Sequence, residues 1–254
     1  MSSFRRPAKN DGKRILTGAK IFMMKIIPVI DLLDDKVVRG VAGERSKYQA
    51  ISSPLCPSSE PASIVDAFLQ LAPFDTIYIA DLNALQNKGD CSACIGALFN
   101  RFPNIQFWID AAFDSVDKLQ VYRRHPGFKP ILATEAIASL EQYQHIAATI
   151  PRRQFVLSLD HKGGRLGLDE LFIDPQLWPQ QVIVMSMDNV GKNAGPSFDL
   201  LAEYQTMAPS KDFVAAGGVR DNADIVELEN RGITAALVAS ALHNGELDCR
   251  QWFR

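Results

Sequence analysis

The sequence predicts a single (β/α)8 barrel, on the basis of three observations. The chain has 254 residues, close to the roughly 250 that are typical of this fold. Eight short apolar runs alternate with amphipathic segments of helical period, as in a parallel sheet whose strands are joined by helices. Several of these runs end in a carboxylate, as buried parallel strands do when they deliver a side chain to a site. A doubly wound sheet is the alternative architecture.

The eight predicted strands are apolar and rich in β-branched residues. The first, residues 25–31, ends in Asp31, and the fifth, residues 155–160, has the same design and ends in Asp160. The other predicted strands cover residues 76–81, 105–110, 130–133, 182–187, 212–216 and 235–239. Lengths of four to seven residues suit the strands of a parallel barrel.

Seven amphipathic segments lie between these strands and predict helices. They cover residues 60–70, 93–102, 115–124, 139–147, 169–177, 197–207 and 222–231. Ser115 and Ser139 are typical of helix starts, and Arg231-Gly232 is typical of a helix end. Pro175 is expected to interrupt the segment 169–177.

The first 23 residues differ in charge from the rest of the chain. They carry six Lys or Arg residues and one Asp, whereas the remaining 231 residues carry 21 basic and 28 acidic residues. They have no apolar stretch of the length that a secretory signal needs. We interpret residues 1–23 as a flexible basic extension, and residues 24–254 as the barrel domain. A transit peptide, or a true start at Met23 or Met24, is the alternative.

Short matches between the two halves of the chain predict a half-barrel repeat. Asp81 corresponds to Ser186 at an offset of 105 residues, and the segment 110–114 corresponds to 216–220 at an offset of 106. Leu132-Ala133-Thr134 corresponds to Val238-Ala239-Ser240 at the same offset. The order of these matches is that of a duplicated half-barrel.

Asp31 and Asp160 are the candidate catalytic residues. In a barrel, the first and fifth strands face each other across the mouth, where such enzymes have their active sites. Two carboxyl groups in one pocket can divide acid and base work if their surroundings push their pKa values apart. The other interpretation of Asp31 is a turn cap after the strand.

Gly217 and Gly218 are the candidate phosphate-binding residues. They follow the seventh strand and precede a helix, so that backbone N–H groups can approach an anion beside a positive helix end. Ala239 and Ser240 follow the eighth strand, and barrels frequently bind phosphate between these two loops. A purely structural tight turn at the glycines is the other interpretation.

Composition excludes several function classes. A net negative barrel region gives no support for nucleic-acid binding. The chain has no apolar run of about 18 residues, which a membrane span would need. Four cysteines without a disulfide framework suit the cytoplasm. The dispersed histidines predict no metal site, and a structural role is favoured for Cys91 and Cys94 over a redox or zinc role.

Residues 24 to about 245 resemble the histidine-biosynthesis barrels. These are phosphoribosylformimino-aminoimidazole carboxamide ribotide isomerase and, more distantly, the cyclase subunit of imidazole glycerol phosphate synthase. The segment Ile27-Pro28-Val29-Ile30-Asp31-Leu32, followed by Lys36-Val37-Val38-Arg39 and Gly43, is more similar to the isomerase. Ile79-Ala80-Asp81-Leu82-Asn83, Ser158-Leu159-Asp160 and Ala216-Gly217-Gly218-Val219 resemble its second, fifth and seventh strand motifs.

The resemblance implies an Amadori rearrangement, in which an N-linked aldose becomes an aminoketose. It implies that Asp31 is the base, that Asp160 is the acid, and that no metal or organic cofactor takes part. The implied partner is a small phosphorylated ribosyl compound. Gly191 joins the implied phosphate-binding residues, and the implied pocket lining consists of Arg39, Asp81, Asp110, Thr134 and Ser186.

Departures from the family predict a changed substrate. The family has a glycine-rich, arginine-containing anion site after its third strand, where this chain has Asp110-Ala111-Ala112-Phe113-Asp114. After the fourth strand, Ala133-Thr134-Glu135 replaces the expected glycine, and Ser186 and Val190 replace aspartates in the sixth-strand region, which keeps Gly191 and Gly195. A phosphate beside Asp110 and Asp114 would be repelled. We expect one phosphate site to be retained and the other to be lost.

The resulting hypothesis is a divergent isomerase acting on a ribosyl compound with one phosphate. Relatives of this kind are associated with tetrahydromethanopterin-type cofactor biosynthesis, where a ribosyl-aminobenzene phosphate is opened. A genuine histidine-pathway isomerase is the first alternative, and a non-catalytic barrel that binds a phosphorylated ligand is the second.

Overall fold

A closed parallel barrel forms the centre of the molecule. The computed structural model describes residues 24–40, 48–192 and 194–253. The barrel strands are β1 (Lys25–Leu33), β3 (Thr76–Asp81), β4 (Gln106–Asp110), β5 (Phe128–Ala133), β6 (Val156–His161), β7 (Gln181–Ser186), β8 (Asp212–Ala216) and β9 (Ala235–Val238). Each pairs in parallel with its neighbours, and the pairing of Lys25 in β1 with Ala235 in β9 begins the closing ladder. The predicted (β/α)8 fold is therefore confirmed.

Helices follow the strands along the chain. They are α1 (Pro61–Leu71), α2 (Leu82–Leu85), α3 (Ser92–Arg101), α4 (Val116–Gln120), α5 (Leu140–Ala147), α6 (Asp169–Ile173), α7 (Phe198–Met207), α8 (Asn222–Asn230) and α9 (Ser240–His243). Ser115 and Ser139 cap α4 and α5 by accepting backbone N–H groups, and Gly232 has a φ of +77° just beyond α8. These three predicted helix boundaries are confirmed. None of the helices in the described segments is long and apolar enough to cross a membrane.

Two predicted helices are shorter than expected, and one hairpin was not predicted. The chain after α4 continues as turns from residue 121 to 124, and α6 ends ahead of Asp174, because a residue before proline disfavours helical geometry. The unpredicted strand β2 (Lys36–Val38) runs antiparallel to β1. Asp34 and Asp35 form the turn with φ values of 51° and 59°, which tight two-residue hairpins require.

Alternation along the strands creates two apolar layers. In β3, Tyr78 and Ala80 pack inside the barrel, whereas Ile77 and Ile79 pack in the layer that contains the helices. The same period of two residues turns Asp31, Asp110 and Asp160 toward the inside of the barrel near the strand ends. The fold thus gathers carboxyl groups from three different strands at one mouth.

The barrel agrees with the predicted half-barrel repeat at the strand ends. β4 ends at Asp110 and β8 at Ala216, and β3 ends at Asp81 and β7 at Ser186, which preserves the offsets of 106 and 105 residues. The predicted extension, residues 1–23, lies outside the described residues.

Candidate active site

A cavity of about 250 Å³ opens at the carboxyl ends of the barrel strands. Both candidate catalytic residues, Asp31 and Asp160, line it. All five candidate phosphate-binding residues line it as well: Gly191, Gly217, Gly218, Ala239 and Ser240. Arg39 and Asp110 complete the set of predicted residues that the fold brings to this cavity. Residues that are more than 200 positions apart in the chain therefore share one space.

Asp160 is a buried carboxyl group in a fixed orientation. Its Oδ1 accepts a hydrogen bond from Ser158 Oγ at 2.6 Å, and its Oδ2 accepts from Thr134 Oγ1 at 3.1 Å and from the Glu135 N–H at 3.2 Å. Burial raises the pKa of Asp160 to about 7, against the lowering effect of the Ser158 hydrogen bond. A carboxyl with this pKa is a suitable general acid near neutrality.

Asp31 lies across the mouth, where β1 continues into the β1–β2 hairpin. It pairs with Val38 of β2 and lines the cavity from the side of the first strand. A Cβ atom on Gly40 would stand 2.8 Å from Asp31 Oδ2. Gly40 therefore leaves room for this carboxyl group at the edge of the cavity.

Tyr78 and Asp110 form a second polar group in the same cavity. Tyr78 donates its hydroxyl hydrogen to Asp110 Oδ2 at 3.1 Å, and both side chains are at least 95% buried. Burial, and then the neighbouring Glu135 and Asp160, raise the pKa of Asp110 to about 8. Tyr78 was not predicted from the sequence, although its inward position in a barrel strand could have indicated a place in the cavity.

Three residues that were predicted to line the pocket do not line this cavity. They are Asp81, Thr134 and Ser186. Asp81 and Ser186 occupy the outward positions of β3 and β7. Asp81 accepts the backbone N–H groups of Ala84 and Cys91 at 3.0 and 2.7 Å, so its role is to cap α2. Thr134 is fully buried and donates a hydrogen bond to the Asp160 carboxyl group.

The loop after β8 requires glycine both because it packs closely against the loop after β7 and because of its backbone conformation. Gly217 and Gly218 have φ values of +96° and +87°. An added Cβ would stand 2.3 Å from the Ser186 carbonyl oxygen at Gly217, and 2.1 Å from the Gly195 carbonyl oxygen at Gly218. Both loops are joined by a hydrogen bond from Gly195 N–H to Gly218 O at 3.1 Å. Backbone atoms therefore lie close together beside the cavity.

The two helix starts near these loops differ in how their N–H groups are used. Asp221 caps α8 by accepting the N–H groups of Ala223 and Asp224 at 2.9 and 3.2 Å. Because these two N–H groups already donate to Asp221, this helix start has fewer N–H groups to offer a phosphate than the sequence predicted. At α9, Ala239 stands at the N-cap without a side-chain capping bond. Ala239 therefore does not occupy the first N–H groups of α9 with its side chain, in contrast to Asp221 at the start of α8.

The wall opposite these loops is acidic. Asp110 and Glu135 line the cavity there, whereas Asp114 does not and pairs with Lys118 at 2.8 Å. Ala112 in the same loop has a φ of +50°, a left-handed conformation that non-glycine residues rarely adopt. Of the two aspartates that were expected to repel an anion, only Asp110 lines the cavity, and its raised pKa reduces the negative charge that it carries near neutral pH.

The cysteine pair that has redox spacing is not placed for redox chemistry. Cys91 and Cys94 are both free thiols on or beside α3. Burial raises the pKa of Cys91 to about 12 and that of Cys94 to about 11. Because the thiolate is the reactive form, both are poor nucleophiles near neutral pH. The described segments also contain no group of three or more His, Cys, Asp or Glu side chains that is placed to hold a metal ion.

Comparisons with known proteins show which family and which relatives this chain is similar to. Residues 25–248 match the model of a family described as histidine biosynthesis protein. An uncharacterized protein of Methanocaldococcus jannaschii is 30% identical over 236 residues, which cover 90% of this chain and 97% of that protein.

Two further relatives carry the name 1-(5-phosphoribosyl)-5-((5-phosphoribosylamino)methylideneamino) imidazole-4-carboxamide isomerase. The protein of Leptospira biflexa is 25% identical over 247 residues, covering 91% of this chain and 97% of the relative. The protein of Cytophaga hutchinsonii is 24% identical over 242 residues, which cover 90% of this chain and 98% of the relative. The chain thus spans nearly the whole length of each relative.

Proposed function

We propose that this chain, which belongs to the family of histidine biosynthesis proteins, is an aldose–ketose isomerase for a ribosyl compound with one phosphate. The observation that carries the proposal is the pair of carboxyl groups at one cavity. Asp160 is buried with a pKa raised to about 7, and Asp31 lines the same cavity from the opposite side of the barrel. An acid and a base on opposite faces of one sugar are what this rearrangement needs.

The proposed reaction consists of proton transfers. Asp160 gives its proton to the ring oxygen as the bond from C1 to that oxygen breaks, and the nitrogen lone pair forms a C=N bond. Asp31 removes the proton from C2, which gives an enol-amine, and then returns that proton to C1. The hydroxyl proton on O2 passes to Asp160 as the ketone forms. Both carboxyl groups are thereby restored.

The loops after β7, β8 and β9 are the proposed phosphate site. Gly191, Gly217 and Gly218 bring main chain to the cavity, and Ala239 and Ser240 add the start of α9. Backbone N–H groups in such loops suit phosphate oxygens. A 5-phosphate bound here would place the ribose between Asp31 and Asp160.

The opposite wall supports the proposal of one phosphate rather than two. The name of the isomerase relatives contains two phosphoribosyl groups. Here, a second phosphate would approach the carboxyl groups of Asp110 and Glu135, and neither side chain supplies the positive charge that a phosphate needs. A pathway role in tetrahydromethanopterin-type cofactor biosynthesis is the finer proposal, since its ribosyl-aminobenzene phosphate carries a single phosphate.

An isomerase assay on an N-aryl ribosylamine 5-phosphate tests the proposal. We expect conversion to the aminoketose, followed by NMR as the C2 proton moves to C1, and loss of that conversion in Asp31→Asn and Asp160→Asn. Full activity in Asp31→Asn would refute its role as the base. No conversion together with tight binding of the same compound would instead favour the non-catalytic barrel.

Complementation separates this activity from the histidine-pathway activity. A histidine auxotroph that lacks the ribotide isomerase should not grow on minimal medium when it expresses this chain. Robust growth would establish the genuine histidine-pathway enzyme instead. The matched strain carrying a known ribotide isomerase provides the positive control.

A further inference from the structure

Asp110 stands across the cavity from the proposed phosphate site. Its strand, β4, is the third of the eight barrel strands, and β8, which precedes Gly217 and Gly218, is the seventh. Strands four places apart in an eight-stranded barrel lie on opposite sides of the axis. Asp31 and Asp160 occupy the strands at right angles to this line. A ribose whose 5-phosphate is at β8 and β9 therefore directs its C1 substituent toward Asp110.

The contacts of Asp110 suit a role as an acceptor. Tyr78 holds one of its oxygens by a hydrogen bond of 3.1 Å, and the Ala112 N–H approaches the other at 3.4 Å. Asp110 is 5% exposed, and what solvent-facing surface it has lies in the cavity. Among the described residues that line the cavity, Arg39 is the sole Lys or Arg, and it follows β2 on the side of the first strand.

We propose that Asp110, oriented by Tyr78, binds the nitrogen attached to C1 and stabilises the positive charge that this nitrogen acquires when the ring opens. This inference rests on the proposed function and assigns a further catalytic residue to it. As the bond from C1 to the ring oxygen breaks, its electrons go to that oxygen, which takes the Asp160 proton. The nitrogen lone pair forms the C=N bond, so the nitrogen becomes cationic beside the Asp110 carboxylate. An adjacent carboxylate favours this charged intermediate.

The same position also selects the substrate. An amine or arylamine nitrogen has an N–H group to donate to Asp110 and becomes positive during the reaction. A phosphate-bearing substituent carries the opposite charge. Asp110 therefore favours a ribosylamine whose C1 substituent is neutral or cationic, and it disfavours one that ends in a second phosphate.

Binding of a cation should be accompanied by proton release. With a pKa of about 8, Asp110 holds its proton at pH 7 in the free protein. Glu135 and Asp160 face it in the cavity and favour this protonated form, and Tyr78 donates to it. A cation at C1 favours the carboxylate, so the proton leaves. The new charge on Asp110 would also help Asp160 to keep the proton that ring opening consumes.

Two probes that differ in one group test the inference with the full chain. 1-Amino-1-deoxy-D-ribitol 5-phosphate carries a cation at C1, whereas D-ribitol 5-phosphate carries a hydroxyl group. We expect calorimetry at pH 7 to show binding of the amine that is about 10- to 100-fold tighter, as hydrogen bonds between charged groups give. Titrations in two buffers of different ionisation enthalpy should show release of close to one proton with the amine and none with the alcohol.

Asp110→Asn should remove both the preference for the amine and the proton release, and leave the affinity for ribitol 5-phosphate unchanged. Asp114→Asn is the matched control, because Asp114 lies in the same loop, pairs with Lys118 and does not line the cavity. This control should keep the wild-type preference and proton release.

Equal affinity for the two probes in the wild-type protein, or binding of the amine without proton release, would overturn the inference and leave the phosphate proposal standing. Binding of neither probe would contradict the phosphate site itself and the inference with it. Because proton release is measured on the wild-type chain, the test does not depend on the folding of a variant.

Discussion

At the scale of single residues, the surroundings of each carboxyl group decide what it can do. Asp160 receives three hydrogen bonds and Asp110 receives two, from Tyr78 and the Ala112 N–H, yet burial raises the pKa values of both well above that of a free aspartate. Desolvation opposes charge more strongly than these hydrogen bonds favour it. Two carboxyl groups that keep protons near neutrality make this cavity sensitive to pH.

The rate of the proposed reaction should decrease above neutral pH. Asp160 must be protonated to act as the acid, and its pKa is about 7. We expect kcat/KM of the wild-type protein to decline as pH rises through about 7. Asp160→Asn should reduce kcat by about 10²-fold or more, with an unchanged circular-dichroism spectrum. A rate that stays constant from pH 6 to 9 would contradict this role of Asp160.

Asp110→Asn should stabilise the fold at alkaline pH. The folded protein holds the Asp110 proton up to a pH of about 8, whereas an unfolded aspartate loses it near 3.9. The folded state thus binds more protons in this window, and its stability decreases as pH rises. Asparagine has no proton to lose. The gain in Tm should therefore be larger at pH 9 than at pH 5, as measured by thermal unfolding.

The corresponding control is Asp114→Asn, which removes a half-exposed ion pair with Lys118. Such pairs contribute at most about 1 kcal/mol. If Asp110→Asn and Asp114→Asn shift Tm equally at both pH values, the buried carboxyl of Asp110 is not the source of the effect.

The sequence was informative about residues at inward strand positions and misleading about their neighbours. Asp31 and Asp160 were identifiable because each ends an apolar run, and Asp110 for the same reason. Asp81 and Ser186 also end strands, but one residue of register places them on the outward face. Only the strand alternation in three dimensions separates these two groups.

At the scale of elements, the loops after β7 and β8 act as one unit. The Gly195 N–H donates to Gly218 O at 3.1 Å, and the Asn189 side chain donates to Gly195 O at 3.0 Å. A change in either loop therefore displaces both. The helix starts and ends were predictable from Ser115, Ser139 and Gly232, since each uses local chemistry that the sequence displays. The β1–β2 hairpin was not, because Asp34 and Asp35 adopt positive φ without a glycine.

Gly218→Ala should separate the packing role of this loop from its conformational role. The new Cβ would meet the Gly195 carbonyl oxygen at 2.1 Å in a backbone with a φ of +87°. We expect binding of D-ribitol 5-phosphate to weaken at least about tenfold, as loss of one well-placed charged hydrogen bond would do. Isothermal calorimetry measures this change.

Gly232→Ala is the matched control for that variant. Gly232 has a φ of +77°, but its nearest neighbour for a new Cβ is Gln205 Nε2 at 3.8 Å, an ordinary contact. It should show a similar conformational cost of about 1–2 kcal/mol and unchanged binding. Equal loss of binding in both variants would show that lowered stability, rather than the loop, is responsible.

At the scale of the whole molecule, the two ends of the barrel have different tasks. The cavity lies at the carboxyl ends of the strands, and Lys129 is buried near their amino ends. This residue is 7% exposed, lies 5.2 Å from the centre of the Trp108 ring and donates to Gln181. Burial lowers the pKa of Lys129 to about 8. A charge at this end affects stability and lies far from the chemistry.

Lys129→Met should therefore change stability without changing activity. An unfolded lysine keeps its proton up to about pH 10.4, so wild-type stability increases as pH rises from about 8 toward that value. The Tm advantage of the variant should be largest at pH 7 and smaller at pH 10, with kcat/KM unchanged. A reduced kcat/KM in a fully folded variant would contradict the separation of the two ends.

The left-handed backbone at Ala112 makes the loop after β4 a suitable target for directed evolution of a second anion site. Its φ of +50° has the same sign as that of Gly218, the equivalent residue in the other half of the barrel, at +87°. An alanine costs about 1–2 kcal/mol in that conformation. The backbone of Ala112 thus already has the conformation of its counterpart, whereas Ala111 lacks the positive φ of its own counterpart, Gly217, at +96°. Alanine at position 110 and glycine at positions 111 and 112 would give selection experiments a barrel with the same Ala-Gly-Gly sequence at the ends of β4 and β8, for tests with sugars that carry charge at both ends.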